Sequence, residues 1–213
     1  MQAVIALPAP PTPVSTLRSR RILFGERIHA AGAEGVAWRV KSGAVRLDRI
    51  AGEDRSFAGL ALQGDVIGAE TLLFGQYSFE ASAIGDCELE PWFCADKAPS
   101  GESLLQTLAA AERRTADLLA LRTGEAFERV RQLCLLLARE HCGGYRVITI
   151  PGLKDMAAIT NLADATVSRA MSRLCRLGLL QRRGHRLGLV FPDNKIASAK
   201  HQPFSPSPSM EPI

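Results

Sequence analysis

The stretch "ADATVSRAMSRLCRLGLL", residues 163–180, places Thr166, Val167, Ser168 and Arg169 at the front of a short amphipathic helix. Helical spacing turns Val167 and Met171 to one side and lets Asp164, Thr166, Ser168 and Arg169 face outward. Upstream, Pro151 and Gly152 stand where a helix can begin, and "LKDMAAITN" carries its apolar face. Asn161, a residue type that tolerates left-handed backbone, then makes a short turn, Ala163 or Asp164 opens the second helix, and Gly178 closes it. Two short helices joined in this way form a helix-turn-helix, with Met156, Ala157, Ile159, Leu162, Val167, Met171 and Leu174 as its core.

Beyond it, "LLQRRGHRLGLVF" has strand-like runs on either side of "RRGH" and reads as a hairpin wing carrying Arg182, Arg183 and Arg186. The first residues of such a second helix are those that reach base edges in a major groove, where Arg binds guanine bidentately and Ser is less selective. Lys154, Arg173 and the wing arginines would add phosphate contacts, which carry affinity but no sequence information. The plainer alternative is that the helix only packs a core and its cations are solvated.

Charge is distributed unevenly. Residues 1–142 hold 16 Lys/Arg against 18 Asp/Glu, whereas residues 143–213 hold 10 against 4. A locally basic C-terminal third suits a polyanionic partner. At 46% hydrophobic and 23% charged residues, the 213-residue chain has the make-up of a folded protein with a real core. It contains no run of about 18 apolar residues, so no membrane span is expected. The start "MQAVIALPAPPTP" lacks a signal-peptide pattern, and a cytoplasmic protein is the expectation. Five cysteines (Cys87, Cys94, Cys134, Cys142 and Cys175) show no C-x-x-C spacing, and His29, His141, His185 and His201 stand far apart. Reduced thiols and no metal site follow.

From about residue 20 to 95 glycines punctuate short apolar segments, the pattern of small β-strands in a sandwich or barrel. "KSGAVRLDRIAGEDRSFAGLAL" fits a hairpin with its tip near Ala51 to Asp54, and "LQGDVIG" a tight turn at Gly64 and Asp65. From Pro99 the period changes: Leu104, Leu108, Ala111, Thr115 and Leu118 recur in steps of 4, 3, 4 and 3. That is a helical seam of period about 3.5, which could pack on its own β domain or be shared between two copies. Thr123 and Gly124 break it, and "EAFERVRQLCLLLARE" resumes as a helix to about Glu140. The Pro-rich ends, 1–17 and 197–213, read as disordered tails.

Three segments in order, "KSGAVRL" with "LQGDVIGAETLL", "EAFERVRQLCLLLA" and "DATVSRAMSRLCRLGLL", resemble the Crp/Fnr family of bacterial transcription regulators over roughly residues 20–192. The resemblance implies an α+β chain: a cyclic-nucleotide-binding-like sensor β-roll (18–98), a long dimerisation helix (99–122) and a winged helix-turn-helix DNA-binding domain (123–196). It further implies a homodimer on a palindromic operator of double-stranded DNA, no enzymatic activity, and, as is common in the family, activation through RNA polymerase, although some members repress. The DNA-binding set is then Asp164, Ala165, Thr166, Ser168, Arg169, Arg173, Lys154, Arg182, Arg183 and Arg186, and the dimer interface is the seam at Leu104, Leu108, Ala111, Thr115 and Leu118.

Departures from the family pattern matter as much. Ala165, preceded by Asp164, stands where the family usually has a cytosine-reading Glu, so the operator preference is expected to differ. The phosphate-anchoring Arg of the cyclic-nucleotide members is missing: the matching stretch is "SFEASA", and no basic residue lies between Arg55 and Lys97. A buried phosphate without a positive partner is costly, which argues against cyclic AMP or GMP. No cysteine precedes Cys87, which argues against an N-terminal iron–sulfur cluster. A lone His29 reads as a turn or surface residue rather than a haem ligand, and Arg113 and Arg114 as exposed cations. No cofactor is expected, and the effector stays open. Cys175, near the end of the second helix, is a candidate redox thiol beside DNA. A cupin-like enzyme would need a histidine cluster that the β region lacks, and a protein-binding winged helix would not call for the basic C-terminal third.

Overall fold

The computed structural model describes residues 18–92, 101–140, 145–184 and 186–191. The expected tails, Cys94, Cys142, His141, His185 and His201 lie outside the described residues.

The N-terminal part is a roll of short antiparallel strands: β1 (Arg20–Ile22), β2 (Arg27–His29), β3 (Trp38–Ser42), β4 (Ala44–Ala51), β5 (Asp54–Leu62), β6 (Val66–Ile67), a one-turn helix α1 (Thr71–Phe74), β7 (Glu80–Ala83) and β8 (Cys87–Pro91). They form two four-stranded sheets, ordered β1-β8-β3-β6 and β2-β7-β4-β5. Alternation sends Ala81 and Ala83, and Cys87 and Leu89, inward and their neighbours outward. These side chains meet Ile22, Trp38, Val40, Val45 and Ile67 in one core. The one-residue link from β3 to β4 requires Gly43. Its φ is +96°, and a Cβ there would meet the Asp86 carbonyl and Cys87.

The long hairpin β4–β5 turns at Gly52 and Glu53, within the tip predicted at Ala51 to Asp54. Then come α2 (Gly101–Ala120) and α3 (Ala126–Leu137). The latter ends three residues short of the expected Glu140, because Arg139–Glu140 pairs as strand β9 with β10 (Arg146–Thr149). The chain closes with α4 (Leu153–Thr160), α5 (Asp164–Arg176), β11 (Leu180–Arg183) and β12 (Leu187–Val190). β9 to β12 make a third antiparallel sheet, ordered β11-β12-β10-β9.

The predicted seam of α2 divides. Leu104 and Leu108 are exposed (45% and 57%), but Leu118 is half-buried against the chain's own core. The helix drifts relative to a 3.5-residue repeat, and its C-terminal end is held by Leu121, which is buried on the same face one turn on. Leu105 and Leu119 are exposed in its place, at 68% and 63%.

A second core joins the parts: Leu60, Leu62 and Ile84 of the roll pack with Val130, Leu133, Met156, Ile159, Val167 and Leu174. Charge joins them as well. Asp48 of β4 is wholly buried and accepts from Arg46 Nε (2.8 Å) and Arg55 Nη2 (2.7 Å), while Arg46 Nη1 donates to Asp155 of α4 at 2.8 Å. Burial works against the Arg46 charge, but its bonds to Asp48 and Asp155 outweigh that and raise its pKa.

Candidate nucleic-acid interface

The site is built on α5. Its first turn closes through bonds from the Thr166 and Val167 amides to the Ala163 carbonyl, at 2.9 and 3.1 Å. The turn before it rests on Asn161, the sole described non-glycine residue with positive φ (52°), whose amide bonds back to the Ala157 carbonyl. Val167, Ala170, Met171 and Leu174 are buried, so one face is committed to the core. Asp164, Ala165, Ser168, Arg169, Ser172, Arg173, Cys175 and Arg176 are exposed, and Thr166, expected to face outward, is half-buried.

Ser172 and Arg176 join this face without having been expected there. Ala165, Arg169, Ser172 and Arg176 follow one another at steps of 4, 3 and 4 along one stripe. That spacing is present in the sequence, but the outward residues were read only from the front of the helix and Arg173. The side chains of Arg169, Arg176, Lys154 and Arg182 make no ion pair or hydrogen bond with another described residue. A cleft of 340 Å³ lined by Ser168, Ser172, Cys175 and Arg182 puts the β11 cation beside the helix flank.

Other cations of the expected set are engaged internally. Arg173 lies 4.3 Å over the Phe127 ring and 3.6 Å from Glu125 Oε1, both at the start of α3. Arg186 stacks on Phe24 of the roll, its guanidinium 3.4 Å from the ring centroid. Arg183 donates to the side-chain oxygen of Gln181 (3.3 Å).

Arginines also hold the helix pair from behind. Arg122 donates to the Ala158 and Ile159 carbonyls at 3.3 and 3.4 Å. Arg129 donates to the carbonyls of Leu121, Thr160 and Asn161. The carbonyls that a helix leaves unpaired at its C-terminal end are thereby satisfied. Nothing in the local pattern of the sequence pointed to the bonds that reach α4 and Asn161, which span 31 to 37 residues.

Within the roll, a 200 Å³ cleft lies between β5 and α2, lined by Leu47, Gly59, Leu60, Ala110, Arg114 and Leu118 among others. Arg114 is not the exposed cation expected: its guanidinium reaches Asp65 at 2.8 Å and Asp117 at 2.9 Å, drawn in by two carboxylates. His29 is likewise half-buried rather than at the surface, stacked on Tyr77 with ring centroids 3.6 Å apart. Burial, with Arg20 nearby, pushes its pKa down to about 4. Of the thiols, Cys134 is buried and pushed up to about 12 by desolvation, whereas Cys175 is exposed. Among the described residues no cluster of His, Cys, Asp or Glu could hold a metal, and no helix is long and apolar enough to cross a membrane.

No family model and no curated protein matches the chain. Solved structures do. A CRP-family transcriptional regulator from Thermus thermophilus is 25% identical, covering 81% of this chain and 91% of that one, with a TM-score of 0.63. A CRP/FNR-family transcriptional regulator from the same organism is 28% identical (82% and 93% covered, TM-score 0.54). FixK2 from Bradyrhizobium japonicum, at 24% identity, shares the fold over 84% of this chain and 94% of its own, with a TM-score of 0.65.

Proposed function

We propose, from the premise that this chain is a Crp/Fnr-like regulator, that it binds specific DNA sequences and controls transcription, and is not an enzyme. The observation that carries this reading is the exposed face of α5, anchored by four buried apolar residues and presenting an unpaired Arg169 beside Ala165, Ser168 and Ser172. Arg169 suits a guanine edge, and Lys154, Arg176 and Arg182 suit phosphates. Arg173 and Arg186 would contribute only on leaving their aromatic partners. Asp164 and Ala165 make the base preference differ from that of relatives with a Glu at the second of these places.

The exposed Leu104, Leu105, Leu108 and Leu119, with Ala111 and Thr115 between them, support a homodimer through α2, and hence a palindromic operator with half-sites about one helical turn apart. Activation through RNA polymerase, in the cytoplasm, is the mode inferred. Independence from cyclic nucleotides is supported by Arg114, the cation nearest the roll cleft, being already committed to Asp65 and Asp117. Neither a cofactor nor an iron–sulfur cluster is part of this reading.

Selection from randomised duplexes, followed by titration at rising salt, tests it. The expected outcome is a selected sequence bound with a steep loss of affinity as salt rises, and a loss of about 1–3 kcal/mol in Arg169→Ala with discrimination relaxed at one base pair. Equal binding of all sequences by both proteins would overturn the proposal.

A further inference from the structure

The helix pair that carries Arg169 is joined to the rest of the chain in sequence through a non-helical link between α2 and α3, which includes Gly124 at φ +83°. A link of that kind, by itself, leaves the orientation of the helices beyond it loosely set. The structure supplies a second tether. Arg46 of β4, 13% exposed, lies between Asp48 of its own strand, 0% exposed, and Asp155 of α4, 27% exposed, with both contacts at 2.8 Å. Next to it, Phe57 of β5 takes the Arg46 and Arg122 guanidinium groups over its ring at 5.8 and 5.1 Å. Arg122 in turn donates to the last carbonyls of α4. Arg186 of the β11–β12 turn makes a further contact with the roll, resting on Phe24. Little water reaches Arg46 and Asp48, so their contact is stronger than its surface equivalent, and the guanidinium plane fixes direction as well as distance.

We propose that Arg46 is a positioning residue for DNA recognition: by bridging Asp48 to Asp155, with Phe57 and Arg122 beside it, it fixes α4 and α5 on the β4–β5 hairpin and so sets the separation between the two reading helices of a dimer. The consequence rests on the DNA-binding reading given above. Arg46 touches no DNA in this scheme. Its effect is on which half-site spacing the dimer accepts, because a rigid tether makes the wrong spacing costly and a slack one tolerates it.

The experiment measures affinity of the full chain for its selected operator and for the same half-sites moved apart or together by one and two base pairs. Wild type is expected to lose about tenfold or more per added or removed pair. In Asp155→Asn and Phe57→Leu that penalty shrinks severalfold, while affinity for a single half-site and the melting temperature change little. Asp155→Glu, which can still meet Arg46, restores the wild-type spacing profile. If the variants keep the wild-type spacing profile, or if single half-site affinity falls in step with the operator's, Arg46 does not position the helices and the proposal is overturned. Loss of sequence selectivity in wild type itself would instead refute the underlying reading, which Arg169→Ala checks separately.

Discussion

At the scale of single residues, exposure separates side chains of one chemical type into different fates. Cys175 is exposed in the cleft with Ser168 and Arg182, whereas Cys134 is buried against Met171, its sulfur 3.9 Å from the thioether. Among the described thiols oxidation should therefore begin at Cys175, where, on the proposed DNA-binding reading, an added oxygen or adduct would crowd a phosphate. Peroxide is expected to weaken DNA binding by wild type and to leave Cys175→Ser unchanged; equal loss in both proteins would exclude this thiol as the cause. His29 gives a pH dependence. With its folded pKa near 4 and an unfolded value near 6.5, the unfolded chain holds more protons between those limits. Stability is thus constant in this respect above about pH 6.5 and falls as pH drops towards 4. His29→Phe should flatten that part of a stability–pH curve measured by urea titration, and an unaltered slope would show that another group titrates. The placing of Asp164, Ser168 and Arg169 on the outer face of α5 was legible in the sequence from helical spacing, though that spacing misplaced the half-buried Thr166. The burial of His29 was not, since it depends on Tyr77, a residue brought over it from 48 positions away by the roll's topology.

Elements show the same division between period and placement. The change from glycine-punctuated strands to a helical period marked the start of α2, and Asn161 marked the turn between α4 and α5, because both signals are local. Which face of α2 meets the roll is not local: Leu118 turns inward with Leu121, and Leu119 takes the outward place. The dimer prediction changes accordingly. Charges at Leu108 and Leu119 would sit in the middle and at the end of a shared apolar stripe, each burying a carboxylate against its own symmetry mate. Leu108→Glu with Leu119→Glu should sediment as a monomer that retains its melting temperature within a few degrees. A dimer that persists would exclude this stripe as the interface. Leu118→Glu, by contrast, is expected to lower the melting temperature, because it places a charge against the core.

Over the whole molecule, three arginine centres connect what the sequence presents as separate segments. Arg114 ties α2 to the turn before β6, Arg129 ties α3 to the helix-turn-helix, and Arg46 ties the roll to α4. Their partners lie 31 to 109 residues away, so only the assembled fold reveals them. The order of parts was readable from three motifs, but the joints between them were not. Asp48, only two residues from Arg46 in sequence, is the most deeply buried carboxylate in these centres. Asp48→Asn leaves Arg46 and Arg55 facing an uncharged amide in a site closed to water, and is expected to cost about 3 kcal/mol, the low end for a broken buried pair because Arg46 keeps Asp155 and Arg55 is half-exposed. Chemical denaturation measures it, and a change below about 1 kcal/mol would show that this cluster adds little net stability. The bridge from Asp48 to Asp155 also limits how freely the parts of this protein can be exchanged. The α4–α5 unit transplanted from here onto a foreign roll would arrive without the surface it docks on, so a chimaera meant to keep its orientation is expected to need the β4–β5 hairpin as well.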